Sequence, residues 1–149
     1  MKIVETKDVA AIRPLYDAWL AIANGEEFGL ELDTEVAEMS AQRLIEQGGV
    51  LLVAYDEGNP IGFMLISPVP SAVGKQIVAM CSFWFALPNV GIGGPSLIEA
   101  AKRWTAKNSY SHLLLSGSKL ASDSHDKICR YCEKIGARHF ETIYLLEVA

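Results

Sequence analysis

Apolar residues in the first third of the chain recur at helical spacing in two places. Over residues 12–23 they return every three or four positions, which predicts a helix with one buried face, and Pro14 is expected to kink or restart it. A second helix is predicted over residues 33–47, with Asp33 or the next residue as its N-cap. The segment 26–33 between the two helices has no clear period, which indicates a loop.

Continuous apolar runs bounded by turn residues predict strands in the rest of the chain. The segments VLLVAYD and PIGFMLISPVP, separated by EGN, predict a hairpin. Helices are predicted over residues 96–108 and again before Gly136, where Ile128, Tyr131 and Ile135 share a stripe. The predicted strands are residues 3–4, 50–56, 60–70, 76–88, 111–118 and 137–149. The resulting order, β-α-α-β-β-β-α-β-α-β, is that of a mixed α/β protein.

Composition and length indicate a single globular domain over residues 1–149. Half of the residues are hydrophobic and 21% are charged, which excludes a disordered chain. The start, MKIVETKD, lacks the apolar region of a signal peptide, and no apolar run reaches the roughly 18 residues that span a bilayer, so we expect a cytoplasmic protein. The net charge of −5 argues against nucleic acid or an anionic membrane as a partner and favours a cationic one.

A glycine turn, NVGIGGP, joins the apolar strand over residues 76–88 to the helix that follows it. Gly91, Gly93 and Gly94 permit backbone angles that a side chain would forbid, so that amide groups can converge in front of the helix. Pro95 suits the first helical turn, where its missing N–H would have had no partner. The positive end of the helix dipole then favours an anion, most often a phosphate.

Two familiar kinds of nucleotide site do not fit this turn. A P-loop requires a Lys-Ser or Lys-Thr pair after its last glycine, and none is present here. A dinucleotide fingerprint requires G-x-G-x-x-G near the start of a βαβ unit, whereas here the third glycine is misplaced and about ninety residues precede the motif. The turn therefore predicts a phosphate site of another kind.

The order of elements, with the glycine turn at the end of the fourth strand, resembles the GCN5-related N-acetyltransferase (GNAT) superfamily. The segment RYCEKIGARHF, residues 130–140, is similar to the family's F-Y-x-K-x-G-F signature, and DVAAIRPL, residues 8–15, is similar to its first helix. The resemblance implies a mixed, mostly antiparallel sheet of six to seven strands flanked by about four helices. It also implies that the fourth and fifth strands splay apart.

The resemblance implies an enzyme that transfers an acetyl group from acetyl-CoA to an amine by direct attack on the thioester. Pantetheine would lie in the gap between the splayed strands, and the pyrophosphate would lie on the glycine turn. His125 falls in a loop whose equivalent in the family often carries an asparagine that contacts the cofactor. The other cofactor-binding positions carried over are Phe83, Trp84 and Phe85 for pantetheine and Val90, Gly91, Ile92, Gly93, Gly94 and Ser96 for the pyrophosphate.

The chain departs from the family pattern where the chemistry is expected. The family's usual Arg or Gln before the first glycine is replaced by Pro88, and no Asp or Glu occurs between Gly58 and Ile98 to act as a base. The signature places Tyr131 at its Phe position and Cys132 at its Tyr position. A thiol with a pKa of about 8.5 could protonate the leaving thiolate, and Tyr131 could reach it from one position away. Both residues also fit simple packing on the helix stripe.

Other candidate residues concern the acceptor and metals. Glu26, Glu27 and Glu31 lie in the loop that commonly borders the acceptor site in the family, where they would attract a cationic amine of a small molecule or a protein; solvated loop charge is the alternative. The C-x-x-C pair at Cys129 and Cys132 lies within a helix and has no second ligand pair, so no metal site is predicted. A catalytically silent module that binds acyl-CoA or a protein is the rival function, and a homodimer is left open.

Overall fold

The chain folds around one five-stranded sheet, as a computed structural model shows for residues 1–23, 25–71, 74–88, 93–118 and 125–148. Short 3₁₀ helices occupy Val9–Leu15 and Glu26–Phe28. The strands are β1 (Lys2–Thr6), β2 (Val50–Asp56), β3 (Asn59–Pro70), β4 (Ile77–Ala86) and β5 (Leu113–Leu114). The α-helices are α1 (Tyr16–Ile22), α2 (Thr34–Glu46), α3 (Gly93–Lys107) and α4 (His125–Lys134).

The strands follow the order β1-β2-β3-β4-β5 across the sheet. The first three neighbouring pairs are antiparallel, whereas β4 and β5 are parallel. The predicted hairpin is confirmed: Glu57 and Gly58 form its two-residue turn with φ values of 49° and 82°, which suit the right-handed twist of the paired strands. A mixed, mostly antiparallel sheet is therefore present, as expected.

Helices cover both faces of this sheet, which explains why β2 and β3 are nearly continuous in apolar residues. On one face α3 packs through Leu97, Ile98 and Trp104 against Leu52 and Met64. On the other face the Val9–Leu15 helix, α1 and α2 pack against the alternate residues of the same strands. That second cluster consists of Ile12, Leu15, Trp19, Ala41, Ile45, Leu51, Val53, Phe63, Leu65 and Phe85.

Local signals place the first two helices where the sequence predicts them. Pro14 lies in the last turn of the Val9–Leu15 3₁₀ helix, and α1 begins directly after it at Tyr16, because proline cannot donate the backbone hydrogen bond of a continuous α-helix. Asp33 caps α2 by accepting hydrogen bonds from the amides of Glu35 at 2.8 Å and Val36 at 3.3 Å. The loop between α1 and α2 is thus anchored at its end.

The C-terminal part of the sheet differs from the prediction of six to seven strands. β5 has two residues rather than the predicted run over 111–118, and residues 137–148 belong to no helix or strand. Their apolar side chains lie in solvent, with Phe140, Tyr144 and Leu146 exposed by 78%, 87% and 83%. A strand requires a hydrogen-bonded neighbour, and the apolar pattern of this segment does not show whether a neighbour is within reach.

Hydrogen exchange tests this difference directly. We expect the amides of residues 138–148 to exchange nearly as fast as in an unfolded chain, because they belong to no regular element and their side chains are exposed. The central strand β3 is the internal control and is expected to be strongly protected. Mass spectrometry of peptic peptides would check both. Protection of residues 138–148 comparable to that of β3 would mean that they form the strand that the sequence predicts.

Candidate functional site

The gap between β4 and β5 is the main irregularity of the sheet. The two strands pair only at Ala79 with Leu113 and at Met80 with Leu114. Across the other edge of β4, the register with β3 shifts so that Ser82 has no partner. Such a bulge bends its strand and increases its twist. β4 therefore continues beyond the end of its pairing with β5, and no other described residue pairs with its backbone edge there.

Among the described residues, side-chain contacts cross the gap in place of that ladder. The indole nitrogen of Trp84 donates a hydrogen bond to the carbonyl oxygen of Ser116 at 2.6 Å. The Ser116 hydroxyl donates to the carbonyl oxygen of Cys81 at 3.2 Å. The chain that leaves β5 is therefore held to β4 by side chains, and Ser116 takes part in both contacts. Sequence reasoning missed Ser116, since nothing in the run SHLLLSGS marks it as different from any loop serine.

The three aromatic residues predicted to border pantetheine lie on β4 beside the gap, but their rings belong to the core. The Phe83 ring packs on Trp19 in a T-shaped arrangement with centroids 5.3 Å apart, and Phe85 is buried on the same face. Trp84 points to the opposite face and packs in the cluster beneath α3. The Phe85 ring is therefore unavailable to a ligand in the gap, whereas the Phe83 ring is only half-buried.

The glycine turn leads from β4 into α3, which begins at Gly93 and so earlier than predicted. Val90, Gly91 and Ile92 lie outside the described residues. A β-carbon added at Gly93 would lie 3.4 Å from Ile61 Cδ1, and one added at Gly94 would lie 3.5 Å from Trp84 Cζ3. The helix start is thus packed closely on the sheet beside the gap.

The first turn of α3 has the features of an anion site. It contains no acidic residue, so no side-chain carboxylate competes for its unpaired amides. Ser96 lies in this turn and is half-buried. Gly93, Gly94 and Ser96, the described members of the predicted pyrophosphate set, are therefore together at the end of α3 that faces β4.

His125 borders the other wall of the gap. It begins α4 rather than lying in the preceding loop, and a β-carbon added at Gly117 would lie 3.5 Å from its Nδ1. This Nδ1 is buried and has no hydrogen-bond partner among the described residues, whereas Nε2 lies 3.6 Å from the Cys129 sulfur. A buried imidazole nitrogen without a partner beside the gap fits a polar ligand there.

Tyr131 and Cys132 are half-buried on α4. Tyr131 packs against the core cluster beneath α3, as the helix stripe predicts. Burial, and secondarily the nearby Cys129 and Glu133, raise the pKa of the Cys132 thiol, so this thiol remains protonated at neutral pH. Burial also raises the pKa of Cys81 to about 12, with a smaller contribution from Cys132. Cys132 follows Tyr131 on α4, and the cluster against which Tyr131 packs contains Cys81 of β4.

The loop between α1 and α2 is acidic and exposed. Glu26, Glu27 and Glu31 all lie at its surface. The C-terminal segment reaches this loop, since a β-carbon added at Gly29 would lie 2.7 Å from the Glu147 carboxylate. The structure thus adds Glu147 to the three predicted acidic residues, a neighbour that no local pattern in the sequence could have indicated.

An ion pair ties together the helices that flank this loop. The guanidinium Nε of Arg13 lies 2.8 Å from Glu38 Oε1, and the Tyr16 hydroxyl donates to the same oxygen at 3.1 Å. Burial and this hydrogen bond raise the pKa of Tyr16 to about 12. The Arg13 hydrogen bond lowers the pKa of Glu38. Because the partners are far apart in the sequence, the spacing of residues could not predict these contacts. They fix the position of α1 relative to α2.

The described part of the chain contains no cluster of three or more His, Cys, Asp or Glu residues that could hold a metal ion. In the same residues, no helix combines the length and the apolar character needed to cross a membrane.

No protein-family model matches the chain. Among curated proteins, the uncharacterized N-acetyltransferase YhfO of Bacillus subtilis strain 168 is 30% identical over 115 residues, which are 74% of this chain and 73% of that protein. The match thus spans most of both proteins.

Solved structures of acetyltransferases share the fold over nearly the whole chain. One is a ribosomal-protein-alanine N-acetyltransferase from Brucella melitensis biovar Abortus 2308, with a TM-score of 0.67, 18% identity and coverage of 99% of this chain and 100% of that one. Another is the aminoglycoside 6'-N-acetyltransferase AAC(6')-Ih from Acinetobacter baumannii, with a TM-score of 0.67, 15% identity and coverage of 99% and 97%. A third is the aminoglycoside N-acetyltransferase AAC(6')-Iy in complex with CoA, with a TM-score of 0.71, 15% identity and coverage of 99% and 93%.

Proposed function

The chain belongs to the GCN5-related N-acetyltransferase superfamily, and we propose that it transfers the acetyl group of acetyl-CoA to an amine by direct attack on the thioester. The observation that carries the proposal is the gap between β4 and β5, which opens beside the start of α3. The gap can take an extended arm along a strand edge, and the helix start can take a phosphate group at the end of that arm.

The residues around the gap fit acetyl-CoA. The backbone edge of β4 at Phe83 to Phe85 offers donors and acceptors for the amides of pantetheine. Gly93 and Gly94 let the phosphates approach the amides of α3, since a side chain at either position would occupy space next to the helix start. The unpartnered Nδ1 of His125 can bind a polar group of the same ligand from the opposite wall.

The reaction moves one acetyl group and one proton. The lone pair of the amine forms a bond with the carbonyl carbon of the thioester, the C–S bond breaks, and its electron pair leaves on sulfur. The thiolate takes up a proton, and the attacking nitrogen loses one. The amine must attack in its neutral form, although its ordinary pKa is about 10.4, and the carbonyl oxygen needs a hydrogen-bond donor as charge develops on it.

Cys132 is the proposed donor of the proton to the leaving thiolate. Its raised pKa keeps it protonated at neutral pH, and it lies on the helix whose Ile128 and Tyr131 pack against the cluster that contains Cys81 of β4. Tyr131 is the alternative donor. Glu26, Glu27 and Glu31 are proposed to attract a cationic acceptor toward the loop, an effect that solvent and salt screen because all three are exposed. The cytoplasmic location and the single domain over residues 1–149 remain predictions.

The rival function is a catalytically silent member of the same fold that binds acyl-CoA or a protein. It is favoured by the absence of any Asp or Glu between Gly58 and Ile98 and by Cys132 at the tyrosine position of the family signature. CoA release from acetyl-CoA, measured with small amines, polyamines and lysine peptides, separates the two. If the protein is an acetyltransferase, we expect it to release CoA only when one class of amine is present. Binding of CoA without amine-dependent release from any class would favour the silent module.

Exchange of Gly94 for glutamate tests the phosphate site. The added β-carbon fits, since it would lie 3.5 Å from Trp84 Cζ3. A carboxylate in the first turn of a helix also interacts favourably with the helix dipole. The fold should therefore persist, whereas the carboxylate should repel the pyrophosphate. We expect Gly94→Glu to bind CoA about tenfold or more weakly than the matched variant Gly94→Gln.

Isothermal titration of both Gly94 variants with CoA, together with their melting temperatures, would check this expectation. Equal affinities of the glutamate and glutamine variants, with both proteins folded, would show that no phosphate lies at the start of α3.

Substitution of Cys132 tests the proton donor. We expect Cys132→Ala to lower kcat about 100-fold, which is at the lower end of what a general acid contributes, with little change in the KM for acetyl-CoA. In the unsubstituted protein kcat should fall as the pH rises through the pKa of Cys132, above the ordinary value of about 8.5, since the proton is then lost. The variant should lack this alkaline limb.

Cys129→Ala is the matched control, because Cys129 is exposed on the same helix, and its kcat should equal that of the unsubstituted protein. A pH profile measured for all variants, including Tyr131→Phe, completes the test. An unchanged kcat in Cys132→Ala with a large loss in Tyr131→Phe would assign the proton to the phenol instead.

A further inference from the structure

Trp84 contacts three parts of the proposed acetyl-CoA site. Its backbone belongs to β4, which is one wall of the gap. Its indole N–H donates to the Ser116 carbonyl at 2.6 Å, and Ser116 lies in the segment that leaves β5 and forms the other wall. The edge of its ring lies beneath Gly94 at the start of α3, where an added β-carbon would be 3.5 Å away. Trp84 itself is only 9% exposed.

The hydrogen bond from Trp84 to Ser116 lies beyond the described backbone pairing of β4 with β5. Backbone pairing of β4 with β5 ends at Met80 and Leu114. Beyond that point the contact from the Ser116 hydroxyl to Cys81 lies near the closed end of the gap, and the Trp84 contact lies further along it. A hydrogen bond at this position therefore limits how far the walls can separate.

We propose that Trp84 is a positioning residue that sets the width of the β4–β5 gap for pantetheine and couples it to the phosphate site at α3; this inference rests on the proposed function. The indole N–H holds Ser116 at a fixed separation from β4, so the backbone groups of both walls are already placed before the ligand enters. Because the same ring supports Gly94, the gap and the helix start move as one unit. This preorganisation increases the affinity for the ligand, because less of the protein has to become ordered when the ligand binds.

If Trp84 only fills the core, its substitution should lower stability without a selective effect on ligand binding. Trp104 provides the comparison, because it is a buried tryptophan of the same cluster that lies on α3 and packs on Tyr110 with ring centroids 5.9 Å apart. Loss of packing lowers stability wherever it occurs. Only loss of the link across the gap should change how well the protein distinguishes a ligand with a pantetheine arm from one without it.

The experiment compares Trp84→Phe with Trp104→Phe, using as ligands CoA and adenosine 3′-phosphate 5′-diphosphate, which keeps both phosphates of the pyrophosphate. The second ligand is a fragment of CoA that lacks the pantetheine arm. Trp84→Phe retains a ring but removes the donor, so we expect its Kd for CoA to rise about tenfold, as the loss of one well-made hydrogen bond permits, while its Kd for the fragment changes less than about twofold. Trp104→Phe should leave the ratio of the two Kd values unchanged, even if its melting temperature falls.

A second variant protects the test against misfolding. Replacement of Trp84 by benzothienylalanine, which keeps the shape of the indole and lacks the N–H, should give the same rise in Kd for CoA. An unchanged Kd for CoA in a folded Trp84 variant, or an equal loss of affinity for CoA and the fragment, would overturn the role proposed for Trp84. The proposed acetyltransferase function would remain. Failure of the unsubstituted protein to bind CoA would overturn both.

Discussion

The parallel pairing of β4 with β5 ends after two residue pairs, and the proposed chemistry depends on this break. Unpaired backbone groups inside a protein are costly, so a strand that leaves its neighbour must satisfy those groups in another way. Ser116 and Trp84 do so in part, and they leave the rest of the β4 edge to a ligand. A bulge at Ser82 lies on the opposite edge of β4, and such a bulge bends its strand and increases its twist.

The rest of the fold keeps this irregular region in place. The antiparallel strands β1 to β4 are covered on both faces, so β4 belongs to a rigid sheet although its outer edge is open. On one face α3 brings its first turn to the end of β4. On the other face the ion pair of Arg13 with Glu38 and the hydroxyl of Tyr16 fix the two helices that flank the acidic loop. The proposed cofactor site therefore lies beside α3 on one face of the sheet, whereas the acidic loop joins the helices that cover the other face.

Much of this arrangement could be predicted from the sequence, wherever the physical cause is local. The hairpin turn, the Asp33 cap, the restart after Pro14 and the apolar stripe of α4 each follow from residues a few positions apart. The glycine turn predicts an anion site for the same reason. The contacts of Trp84 with Ser116 and of Arg13 with Glu38 join residues far apart in the chain, and only the folded structure shows them. The prediction of a C-terminal strand failed. The apolar pattern of that segment shows that it could form a strand, but a strand also needs a neighbouring strand with which to hydrogen-bond.

The catalytic residues differ from the family pattern more than the cofactor site does. In the proposed mechanism the protonated thiol of Cys132 takes the place of the family's tyrosine, and β4 carries no carboxylate that could act as the base. A crystal structure of the protein soaked with acetyl-CoA would show whether the gap is the cofactor site. We expect pantetheine along the β4 edge between Phe83 and Ser116, the pyrophosphate at the start of α3, and the thioester sulfur beside Cys132. Acetyl-CoA bound elsewhere, with the gap closed by direct contact of its walls, would contradict this expectation.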